Sequence, residues 1–354
     1  MHRLLLILLV LMVVLPLGPP LLVSAQGPGN LAACRDCAFS CEEDFISQGP
    51  LPPDGNPLIS DGDLLSCSGA VCLRNAQLLQ PFDVTEDLGL DAVDVLDVER
   101  GLVSFSTELD SPHGNFSQGD LLSTWGTIIP NRALLILFQI EGDRGLDAVH
   151  WVGDIANIAD FHEWAKGISP DEWLGEPGRL SAELKRYGID IWFSIEGTEW
   201  RAATVPILDG DLLSAANGTI VAGNSALLPP SVPGGLPNRG VDFGLDAVTA
   251  TRSGRRTSIR YSTEILYRSR FAFTDGDLLR IGDGLSTLGE NLYKPFEPKA
   301  VFLGTDAFYQ QIPEEEIGLD NFIALVFKLF TVRQPMITIP SDRAPANRLR
   351  SVRP

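Results

Sequence analysis

Gly-Asp-Leu-Leu-Ser stands at residues 62–66, again at 119–123 and again at 210–214, and Gly-Asp-Leu-Leu-Arg stands at 276–280. From the Asp of each copy, 27 to 35 residues lead to the Asp of a second motif. That motif reads Leu-Asp-Ala-Val at 90–93, 146–149 and 245–248, and Thr-Asp-Ala-Phe at 305–308. Motif pairs recurring at a near-constant period mark a repeat architecture, where each copy is one supersecondary unit and neighbouring copies complete its core. The spacing describes an architecture and names no chemistry.

Between the motifs the units align further. Each opens with an aromatic-Ser strand, read as Phe45-Ile46-Ser47-Gln48, Phe105-Ser106-Thr107-Glu108, Phe193-Ser194-Ile195-Glu196 and Tyr261-Ser262-Thr263-Glu264. A variable loop leads to Asp-Leu-Leu, and a Gly-containing turn leads to a second β-rich run at 126–129 or 218–221. Asn75 then precedes Leu78, Leu79 and Phe82, and Asn131 precedes Leu134, Leu135 and Phe138. Asn is a good N-cap and this apolar spacing shares one helical face, so a short helix is expected there. The Leu-Asp-Ala motif opens the next strand. One unit is thus about four strands and a short helix, which predicts a mainly β chain. Four such units over 45–340 suit a four-bladed β-propeller, with two β-sandwich domains as the alternative. A C-terminal strand completing the first blade would remove open edges, and 305–308 or 318–322 can supply it.

An Asp-Ala-Val that opens a strand, followed by an aromatic strand and later a short helix, resembles hemopexin-type four-bladed propellers. The resemblance implies that Asp91, Asp147, Asp246 and Asp306 line a central channel of the kind that holds cations. The motif pair is also similar to that of uncharacterised exported bacterial repeat proteins, which implies no activity.

Residues 1–25 read as an export signal: Arg3, the apolar run 4–15, then Val23-Ser24-Ala25 as a small-residue cleavage site. The run breaks at Pro16, Pro19 and Pro20, and nothing later is apolar enough to cross a membrane. The chain carries a formal charge of −19. Such a surface repels nucleic acid and anionic lipid and favours cations. Residues 26–44 form a Cys-containing segment with Cys34, Cys37 and Cys41, and Cys67 and Cys72 follow. In an exported chain these predict disulfides. Cys67 and Cys72 flank Ser68-Gly69 and are expected to pair across a hairpin. Leu31-Ala32-Ala33-Cys34 resembles a lipoprotein cleavage box, which would place a lipid anchor on Cys34. The basic stretch 341–354, with Arg343, Arg348, Arg350 and Arg353, reads as a disordered tail.

Candidate sites follow from what recurs and from what differs. Asp63, Asp120, Asp211 and Asp277 recur, and three of them follow Asp-Gly at Asp61, Asp209 and Asp275, a pattern related to oxygen-rich calcium loops, while the second unit carries Gln118 there. They are candidate calcium ligands, with turn capping as the plainer role. The copies differ most at 150–188, an insert expected to be helical, which holds Trp151, His162, Trp164 and Trp173. Together with Trp200 these form a candidate recognition surface for an extracellular glycan or protein. Among enzyme signatures the chain has no Gly-x-Ser-x-Gly elbow, no Walker loop and no His-Glu-x-x-His. The sequence therefore favours an exported binding or cell-surface module, against a carbohydrate-active enzyme or a structural extracellular component.

Overall fold

The structure, a computed structural model, describes residues 29–200, 206–235, 240–253, 256–300 and 302–311. The export signal, the closing strand considered at 318–322 and the tail lie outside the described residues. Four four-stranded antiparallel sheets carry the four motif copies. The first runs Phe308–Gln310, Cys37–Phe39, Leu64–Ser66, Val71–Leu73; the second runs Val93–Asp97, Leu102–Phe105, Leu121–Ser123, Ile128–Ile129. The third runs Val149–Val152, Asp190–Phe193, Leu212–Ser214, Thr219–Ala222. The fourth runs Val248–Ser253, Arg256–Tyr261, Leu278–Arg280, Gly284–Thr287. The strand opening each sheet lies beside the next one. Val93–Asp97 touches Val149–Val152, that touches Val248–Ser253, that touches Phe308–Gln310, and the last returns to Val93–Asp97.

Strand makes up about 26% of the described residues and helix about 21%, so the fold is mixed, and mainly β only loosely. Two sources account for the helix. Each unit carries its short helical turn, and the insert adds Ile155–Ala165, Pro170–Gly175 and Arg179–Tyr187.

The first unit does not open where its motif was expected. Phe39-Ser40-Cys41-Glu42, not Phe45-Ile46-Ser47-Gln48, takes the aromatic-Ser position. Phe39 pairs with Phe308 on one side and Leu65 on the other, whereas Phe45–Ile46 pairs only with Leu58–Ile59 in a two-stranded ribbon. A strand with a partner on each edge leaves no unpaired backbone groups, which is why the earlier copy wins. Cys37–Phe39, within the expected N-terminal segment 26–44, is thereby a strand of the first sheet.

The conserved-looking turn chemistry is built from Asp and Asn together. In each unit one carboxylate ties two chain segments. Asp120 Oδ2 accepts from Ser117 N at 2.9 Å and Oδ1 from Asn131 N at 3.0 Å. Asp63 does the same for Ser60 and Asn75, Asp211 for Leu208 and Asn224, and Asp277 for Thr274 and Gly289. The expected role of Asn as N-cap therefore passes to an Asp from another strand. Asn75 and Asn131 are the first helical residues instead, and their buried side chains bridge onward. Asn131 Nδ2 donates to Gly145 O at 2.7 Å, and its Oδ1 accepts from Arg144 N at 2.9 Å. Asp and Asn thus staple the first motif to the second inside every one of the two best-matched units.

Cysteine pairing differs from the hairpin expected. Cys34 bonds Cys72 and Cys37 bonds Cys67, with Cα separations of 6.0 and 5.6 Å, and Cys41 is free and buried. Register explains it. Ala38 pairs with Ser66, which sets Cys37 opposite Cys67. Cys72 instead lies on the neighbouring strand, where Asn30 N donates to its carbonyl at 2.8 Å and brings the Leu31–Cys34 turn alongside. The lipid anchor considered for Cys34 has no free thiol here.

Two outcomes are expected. Peptide mapping of the non-reduced protein should recover Cys34 linked to Cys72 and Cys37 linked to Cys67; a Cys67–Cys72 peptide would contradict the register. Asp120→Ala should lower unfolding free energy by roughly 3 kcal/mol, because two buried N–H groups lose a charged acceptor. A denaturant midpoint unchanged from the parent chain would refute that role.

Candidate functional site

Antiparallel pairing gathers acids at one end of the four sheets. Val93 pairs with Phe105, Val149 with Phe193, Val248 with Tyr261 and Phe308 with Phe39. The Asp two residues before each strand start and the Glu three residues after each aromatic therefore meet at the same end. This assembles Asp91, Asp147, Asp246 and Asp306 with Glu108, Glu196, Glu264 and Glu42. The Gly before each Leu-Asp-Ala makes the approach sterically feasible. Gly89, Gly145 and Gly244 have φ of +71°, +67° and +69°, and a Cβ there would collide with Glu108, Glu196 and Glu264 respectively.

Serine joins consecutive sheets at this level. Ser40 Oγ donates to Leu90 O at 2.9 Å, Ser106 Oγ to Leu146 O at 2.8 Å, and Ser194 Oγ to Leu245 O at 2.6 Å. Ala92 N and Ala307 N donate back to Ser106 and Ser40, both at 2.9 Å. The backbone beside Asp91, Asp147 and Asp246 is thereby held by the preceding sheet's serine.

The result is a cavity of about 530 Å³ lined by Asp91, Glu108, Gln118, Asp147, Glu196, Gly197, Asp209, Asp246 and Glu264. Seven of these are carboxylates and none is basic. Burial is the main force on them, and neighbouring acids add to it. It pushes Asp91, Asp147, Asp246 and Asp306 well above the usual carboxylate range. It raises Glu108 and Glu42 to about 7, and Asp209 to about 8, where Glu264 faces it. Asp147 is only 4% exposed, and its Oδ2 has no hydrogen-bond partner among the described residues. Two carboxylate groups come close enough to ligate a metal: Asp91, Asp147 and Glu196, and Asp147, Asp209 and Glu264.

Of the residues singled out in the sequence, Asp91, Asp147 and Asp246 line this cavity, whereas the candidate calcium ligands and the tryptophans fall elsewhere. Asp63, Asp120, Asp211 and Asp277 direct both carboxylate oxygens to backbone N–H groups, and Asp63 also takes an ion pair from Arg74 at 2.5 Å. Those are turn caps. Trp151 and Trp173 are 3% and 2% exposed and sit in one core with Phe161, Leu134 and Leu184. His162 is fully buried, its ring packs tilted against Trp151 with centroids 4.6 Å apart, and its Nδ1 hydrogen-bonds Thr127 Oγ1 at 3.2 Å. Burial lowers its pKa to about 3, so it is a neutral core histidine. Trp164 is half-buried, with Arg179 and Arg186 over its ring at 5.8 and 5.6 Å. Only Trp200 is largely open, at 68%.

The insert and Trp200 do not share a surface. Val152 pairs with Asp190 and Val149 with Phe193, so the insert leaves one end of that hairpin and the Trp200 loop leaves the other. The acids missed in sequence are Glu108, Glu196 and Glu264, whereas Asp209 belonged to the Asp-Gly pattern. Their signal was present, because Glu recurs three residues after each aromatic, but pairing in space decides which recurring acids converge.

Because folding raises these carboxyl pKa values, the folded chain holds protons that the unfolded chain gives up. The associated stability is whole below about pH 4 and is lost as pH rises through 7 to 8, the folded values of Glu42, Glu108 and Asp209. In chelator, the melting temperature should therefore fall between pH 5.5 and pH 8.5; a rise over that interval would contradict the burial of these acids. Comparison of the chain with protein-family models, curated proteins and solved structures finds no match.

Proposed function

We propose that this chain is an exported, non-enzymatic binding module whose four sheets are the blades of a four-bladed β-propeller, with a divalent cation in the acid-lined cavity at one end. The observation that carries the reading is the convergence of seven carboxylates without a basic residue, two of them, Asp147 and Asp209, with a buried oxygen that has no hydrogen-bond partner among the described residues. Uncompensated buried charge is costly, and a cation is the ordinary remedy where no Lys or Arg is present. An all-oxygen donor set suits a hard cation, and a roomy, irregular one suits calcium better than magnesium. The cyclic contact of the four opening strands, and Phe308–Gln310 pairing with Cys37–Phe39, favour ring closure.

The loops that follow the four Glu residues leave the sheets at the cavity end. They expose Leu51 and Leu58, Leu109, Trp200, and Ile265 and Leu266. Exposed apolar and aromatic side chains around a rigid mouth are the usual make-up of a contact face for a glycan or a protein. Export accords with the two disulfides, and no helix among the described residues is long and apolar enough to cross a membrane.

Calcium should raise the melting temperature at pH 8, and chelator should reverse it. At a hundredfold excess over Kd the gain is about 2.7 kcal/mol. On an array of extracellular glycans and proteins, Trp200→Ala should lose binding with its calcium-loaded melt unchanged. A melt indifferent to calcium sinks the cation reading, and turnover of an arrayed glycan sinks the non-enzymatic one.

A further inference from the structure

We propose that the cavity takes two divalent cations rather than one, bridged by Asp147 and set off-centre against the second, third and fourth sheets. This rests on the cation reading above and specifies its stoichiometry and place. Two ligand sets exist, Asp91 with Asp147 and Glu196, and Asp147 with Asp209 and Glu264. Within each, one ligand oxygen from every residue lies within 4.8 Å of the others. Asp147 belongs to both, and its Oδ2, like Asp209 Oδ1, is a buried oxygen that no donor reaches among the described residues. A carboxylate offering one oxygen to each of two cations is the usual bridge in paired sites, where the ions sit about 3.5–4 Å apart.

Symmetry of the repeat does not extend to this pair. Asp246, Asp306, Glu42 and Glu108 occupy equivalent positions but join no ligand set among the described residues. The extra ligand, Asp209, comes from the residue before Gly-Asp-Leu-Leu in the third unit, where the second unit carries Gln118. Formal charge favours two ions over one. When fully ionised on binding, the five ligands carry five negative charges; one divalent cation offsets two and a pair offsets four. The cavity of about 530 Å³ also leaves room for water to complete the six to eight oxygens that calcium prefers.

Native mass spectrometry and titration calorimetry of the full chain with calcium alone, near neutral pH, test this directly. The unmodified protein should bind two calcium ions. Asp209→Asn and Glu196→Gln should each lose one, and Asp147→Asn should lose both. All three replace a carboxylate by an amide of the same shape, and melts in chelator check that each is folded. The stoichiometry of the unmodified chain needs no variant at all. A single calcium left untouched by Asp209→Asn overturns the pair while the single-cation reading stands. No calcium bound by the unmodified chain overturns both.

Discussion

A buried carboxylate must find donors or a cation, and this chain buries one at each of its two motif positions in every unit. The first, at Asp63, Asp120, Asp211 and Asp277, finds two backbone N–H groups each and so fixes where a strand-turn meets a helix start. The second, at Asp91, Asp147, Asp246 and Asp306, is set in a space shared with the Glu residues of neighbouring strands. One class of acid is satisfied by its own unit. The other is a property of the assembled four and exists only once they meet.

That division explains the rest of the scaffold. Aromatic side chains cross from unit to unit: Phe82 meets Phe105, Phe138 meets Phe193, and Phe296 meets Phe39, with centroids 6.1–6.5 Å apart. Nearer the acids, serine bonds cross the first two of these boundaries and also the one between the third and fourth sheets. Apolar contact and Ser–carbonyl bonds together hold like charges close, so the packing supplies what electrostatics opposes. The insert strengthens one such boundary, since Phe161, Trp173 and Leu184 join a core with Leu134, Ile129 and Phe193.

The repeat, its period and the strand-turn-helix order were legible because each is local. Asp-Leu-Leu and Leu-Asp-Ala carry their own turn and strand chemistry. The first unit's opening was not legible, since Phe39-Ser40 and Phe45-Ile46-Ser47 present the same local pattern and only the C-terminal strand decides between them. Disulfide pairing failed for the same reason, as Cys37 reaches Cys67 through register between strands far apart in sequence. Tryptophan richness in the insert was ambiguous: a hydrophobic core and a recognition surface draw on the same residues, and burial alone separates them. Glu196 and Glu264 were visible as repeated letters, but their meeting with Asp147 is a fact of three dimensions.

Anomalous scattering from crystals grown with manganese, a hard divalent stand-in for calcium, tests the central claim most directly. The account predicts density inside the cavity, within ligand distance of Asp147 and of Glu196 or Glu264. Peaks only at Asp63, Asp120, Asp211 or Asp277, or a cavity holding water alone, would contradict it.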